Sequence, residues 1–76
     1  MSVLQLHQGL YSRAATDEAI KLFGEAARIV LSEVEPYYRL EIDAIDEEDD
    51  VEAITAEFAN YVLALTVEEK RAGHPD

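Results

Sequence analysis

A chain of 76 residues with six basic and seventeen acidic side chains carries a formal charge of −11. Phosphate backbones and anionic membrane surfaces both need clustered Lys and Arg, so this balance argues against nucleic acid and membrane binding. It suits a basic protein or peptide partner, while 49% apolar residues are what a folded domain requires.

The chain lies near the lower size at which one core suffices, and it has no cysteine to add a disulfide or a thiolate metal site. The remaining staple is packing or oligomerisation. Lack of cysteine fits a reducing compartment, and the expected location is cytoplasmic. No apolar run approaches the ~20 residues of a membrane span, and residues 1–20 lack the basic and apolar regions of a signal peptide. One domain over residues 1–76 is expected, with residues 73–76 as its tail.

Residues 3–8 alternate, with Leu4 and Leu6 to one side and Gln5 and His7 to the other, which predicts a short strand ended by Gly9. A helix follows. Thr16 is a suitable N-cap ahead of Asp17 and Glu18, with Ser12 as an alternative one turn earlier. Ile20, Phe23, Ala27, Val30, Leu31 and Val34 recur at helical spacing and predict one buried face out to Pro36. Gly24 in mid-helix costs about 1 kcal/mol and suggests the close approach of another element. The run Ile29-Val30-Leu31, with its β-branched residues, also allows a strand over residues 29–34 that forms a hairpin with the next one; the spacing favours the helix.

Tyr38, Leu40, Ile42 and Ala44 alternate with Tyr37, Arg39, Glu41 and Asp43, predicting a second strand. The acidic run Asp46-Glu47-Glu48-Asp49-Asp50 then leads into a long helix from Asp49 to Gly73. Val51, Ile54, Phe58, Tyr61, Val62 and Leu65 form its apolar stripe. Asp49 or Asp50 can cap its start, Lys70 and Arg71 suit its last turn, and Gly73 and Pro75 stop it. Beside this stripe lies a second one: Ala56, Ala59, Leu63 and Val67.

The expected fold is therefore α+β: a small β-α-β-α domain whose two-stranded parallel sheet packs against two long helices. Two strands leave open edges, and the second stripe leaves a spare apolar face. Both predict that the sheet is completed by oligomerisation, as a homodimer. Ala56, Ala59, Leu63, Val67 and the outward Tyr37 are the interface candidates.

Chemistry has little footing. Ser2, Ser12 and Ser32 have no histidine near them in sequence, and His7 and His74 lie at opposite ends. The acidic run has consecutive carboxylates, without the alternate spacing, central Gly and distal Glu of a calcium loop; weak metal binding there stays open. Only Gly9, Gly24 and Gly73 are present, so there is no glycine-rich phosphate loop. Neither a catalytic nor a cofactor or metal site is predicted, and the chain is not expected to be an enzyme.

Two motifs carry a family resemblance. Leu10-Tyr11-Ser12 followed by Glu18-Ala19-Ile20 resembles the opening of the HxsD proteins, and Glu57-Phe58-Ala59-Asn60-Tyr61-Val62-Leu63 resembles their later helix, with Arg71 near the arginine that follows it. The spacer between Ser12 and Glu18 is longer than in that family, and the chain is short of residues for a second strand after Ile45. HxsD proteins accompany radical SAM enzymes in the maturation of His-Xaa-Ser peptides. The resemblance thus implies a non-catalytic accessory that binds a radical SAM maturation enzyme or a precursor peptide. The chain has no His-Xaa-Ser motif of its own and no cysteines for an iron–sulfur cluster. The alternative is a structural homo-oligomer.

Overall fold

The computed structural model describes residues 1–72. Its elements are β1 (Ser2–His7), α1 (Arg13–Phe23), β2 (Ala27–Val34), β3 (Tyr37–Ala44) and α2 (Val51–Ala72). The sheet has three strands in the order β1-β3-β2, and both pairings are antiparallel. Leu4 lies opposite Leu40 on one side of β3, and Leu31 lies opposite Leu40 on the other. This is the first five elements of the β-α-β-β-α-β arrangement, with β3 inserted between the strands that α1 connects.

The expected two-stranded parallel sheet and β-α-β-α order are therefore corrected. Residues 27–34 are a strand, and the helix before them ends at Phe23. Apolar residues from Ile20 to Val34 satisfy helical spacing and strand alternation alike, and periodicity alone cannot separate the two. The strand wins on three counts. Gly24 is a poor helix former, Ile29 and Val30 are β-branched, and as a strand this segment supplies the partner that the second side of β3 needs. Ala27, Ile29 and Leu31 then face inward, while Val30 turns outward. Pro36 is no helix stop. It sits in the two-residue turn between β2 and β3, joined to Glu35 by a cis peptide bond. Gly24 caps α1 with right-handed backbone, and a Cβ there would meet only helix carbonyls at 3.4 Å, so no neighbouring element accounts for it.

Ser12, not Thr16, caps α1: its Oγ accepts from the Ala15 N–H at 3.1 Å. Thr16 is fully buried and donates its hydroxyl to the Ser12 carbonyl at 2.8 Å. At α2, Asp50 is the capping residue, its Oδ1 accepting from the Glu52 N–H at 3.0 Å. Lys70 and Arg71 occupy the last turn. The stops placed at Gly73 and Pro75, and the tail over residues 73–76, lie outside the described residues.

Both helices cover one face of the sheet. α2 lies over β1 and β3, and α1 over β2. Leu6, Leu40, Ile42, Phe58 and Val62 form the centre of the core, with Phe58, Leu40, Ile42 and Val62 its largest fully buried side chains. Phe23 bridges the two helices, edge-on to Phe58 with ring centres 5.4 Å apart. The outer face of the sheet carries no layer among the described residues.

Candidate functional site

Catalysis needs acid, base or nucleophile side chains converging on a pocket. His7 is committed to the turn after β1: its Nδ1 accepts from the Gly9 N–H at 3.0 Å, and its ring stands edge-on to Tyr37 at 5.5 Å. Ser12 and Thr16 are used in capping α1. Among the described residues, no three His, Asp or Glu side chains gather where they could hold a metal ion. The acidic run folds as a turn, with the Asp46 carboxylate accepting from the Glu48 N–H at 3.0 Å.

Among the described residues, two shallow grooves stand out. The larger, about 370 Å³, lies between the turn after β1 and the end of α2, lined by Leu10, Tyr11, Thr66 and Lys70 among others. The smaller, about 290 Å³, lies between α1 and α2 near Tyr61 and Leu65. The larger is also lined by Glu69 and the smaller by Glu18 and Glu69, exposed charged groups without a histidine beside them in the lining.

Thr66 is the polar residue that sequence reading passes over. It is buried at 3% exposure, and its Oγ1 accepts the Ser12 N–H at 3.2 Å, tying the start of α1 to α2. A threonine on the boundary between two apolar stripes gives no signal of this in sequence. Arg13 is the second. It bonds Asp17 at 3.1 Å and Glu33 at 2.7 Å, and its guanidinium lies 5.8 Å above the Tyr38 ring. The hydrogen bond to Asp17, then the charges of Asp17 and Glu33, raise its pKa above the ordinary arginine value.

The interface candidates divide between two surfaces. Leu63, 47% exposed, and Val67, 43% exposed, lie on the flank of α2 with Ala56 and the half-buried Ala59. By helical position this flank faces away from α1, because Tyr61 and Leu65 face α1. It therefore overhangs the free edge of β1. Tyr37 is not part of this surface. It stands on the outer face of the sheet in one row with His7 and Val34. Val3 and Val30 flank Glu41 four residues along, and Arg39, in the row between, reaches Glu41 in an ion pair at 2.8 Å. Val30 and Val34 become visible as surface residues only once β2 is known to be a strand.

No family model matches the chain, and neither a curated protein nor a solved structure does. The residues of the two motifs have structural tasks here. Ser12 caps α1, Ala19 and Phe58 are fully buried, and Val62 joins them in the core. No helix among the described residues is long and apolar enough to cross a membrane.

Proposed function

We propose that this chain is a non-catalytic accessory protein that acts by protein or peptide binding, in a cytoplasmic peptide-maturation system of the HxsD kind. The observation that carries the reading is the uncovered outer face of the sheet. There Tyr37, Val34, Val30 and Val3 stand exposed around one ion pair, with Val30 at 60%. Exposed aromatic and aliphatic groups on a rigid sheet are suitable anchors for a partner, and tyrosine is among the residues that most often dominate binding energy. The choice of partner, a radical SAM maturation enzyme or its precursor peptide, rests on the resemblance of the two motifs.

The test is co-purification from native lysate with tagged chain, with and without Tyr37→Ala. The expected result is a radical SAM enzyme or a His-Xaa-Ser precursor retained by the parent chain and lost with the variant. Recovery of nothing beyond its own copies would favour the second reading, a structural homo-oligomer, which the exposed Leu63 and Val67 support.

A further inference from the structure

We infer that the free edge of β1 and the overhanging flank of α2 form one seat, and that its occupant is a second copy of this chain related by a two-fold axis. Of the two sheet edges, β2 carries Arg28 and Glu33, the latter bonded to Arg13, whereas β1 carries no Asp, Glu, Lys or Arg. Charged side chains on an edge strand discourage pairing with another chain, and β1 lacks that protection. In a chain of charge −11, it is also an edge two copies can share without opposing carboxylates.

The flank of α2 is complementary to itself. β1 pairing with the partner's β1 in antiparallel fashion runs the two α2 helices antiparallel as well. An axis level with Tyr61 then sets Ala59 against the partner's Leu63 and, within one residue's rise, Ala56 against the partner's Val67, small against large. It also sets Glu52 against the partner's Lys70, opposite charges at both rims of the contact. The middle of α2 and the middle of β1 share one core through Phe58, Val62, Leu4 and Leu6, so a single axis can serve both. The spacing agrees. α2 lies over β1 and β3, so joining two sheets at the usual strand separation of about 4.8 Å brings the two α2 axes roughly 10 Å apart, within ordinary helix packing.

The experiment is the solution mass of the full chain and its variants by light scattering, with circular dichroism to follow the fold. The parent chain is expected at twice its 8.5 kDa mass. Leu63→Asp is expected to raise the dimer dissociation constant more than about a hundredfold while the fold persists. Glu52→Lys and Lys70→Glu are each expected to weaken the dimer about tenfold, and the double reversal to restore it. Should Leu63→Asp unfold the chain, the charge reversals decide. A parent chain at 8.5 kDa, or a dimer indifferent to both single reversals, overturns the inference. The mass measurement needs no maturation partner, so it stands or falls apart from the proposed function.

Discussion

The half of the molecule under α2 and the half under α1 solve the same packing problem differently. Under α2, large side chains close the core completely: Leu6, Leu40, Ile42, Phe58 and Val62 are all buried. Under α1 the contact is made with small residues, Ala15, Thr16 and Ala19, while Ile29 and Leu31 of β2 stay half-buried. Their outer margins show the opposite contrast. The α2 half ends in an uncharged strand edge and an apolar flank, and the α1 half in an edge guarded by Arg13 and Glu33. The half with the better core thus has the unprotected margin. Stability and association are therefore expected to respond to different residues.

Phe58→Ala should have the largest effect. It empties the centre of the core and removes the edge-on contact to Phe23, at a cost of about 3–5 kcal/mol, a large share of the stability of so small a domain. Leu31→Ala, on the half-buried inner face of β2, should cost about 1–2 kcal/mol, because part of the side chain already meets water. Urea unfolding of both variants at one protein concentration measures the difference. Equal losses would mean that the two halves share the core evenly, and the contrast would be broken.

The same division decides what could be read without coordinates. Alternation at Leu4-Gln5-Leu6 and at Tyr38 to Ala44 is unambiguous, because polar residues separate each apolar pair and only a strand puts them on one side. The stripe from Val51 to Leu65 is long enough that no strand could bury it. Residues 24–34 are different. Their apolar run fits both periods, and the choice is made by the vacant side of β3, a tertiary fact. Misreading them also hid Val30 and Val34 as surface residues. The flank of α2 was legible as a surplus stripe, since Ala56, Ala59, Leu63 and Val67 repeat on their own. That it overhangs β1 was not, because it depends on which strands α2 covers. Thr66 was illegible for another reason: its partner is a backbone N–H 54 residues away, which no local pattern encodes.

Ser12→Ala tests the joint between the halves. The variant removes the N-cap acceptor for Ala15 but leaves the backbone N–H that donates to Thr66. A loss of about 1 kcal/mol is expected, the usual cost of a deleted cap. Thr66→Val removes the acceptor at the other end of the joint and leaves a part-buried N–H without it, so about 1 kcal/mol is expected, the lower end of the cost of an unmade bond. If Thr66→Val proves neutral in urea unfolding, α1 is held to α2 by apolar packing alone.

Arg13→Ala should change stability least. Its bonds to Asp17 and Glu33 are exposed to solvent, where attraction is screened and holding two flexible side chains costs entropy. The midpoint of unfolding should move less than for Ser12→Ala. In about 1 M salt, where the screening length falls to roughly 3 Å, parent and variant should nearly coincide. The more informative readout is the β2 edge. Arg13 holds Glu33 beside that edge, and without it the carboxylate is freed but stays in place, so the edge remains charged. The triple change Arg13→Ala, Arg28→Val and Glu33→Val strips it. If charge alone keeps β2 from pairing, the triple variant should form assemblies larger than a dimer, through β1 on one side and β2 on the other. A triple variant with the same solution mass as the parent would show that the two edges differ in shape rather than in charge, and the electrostatic half of the comparison would fall.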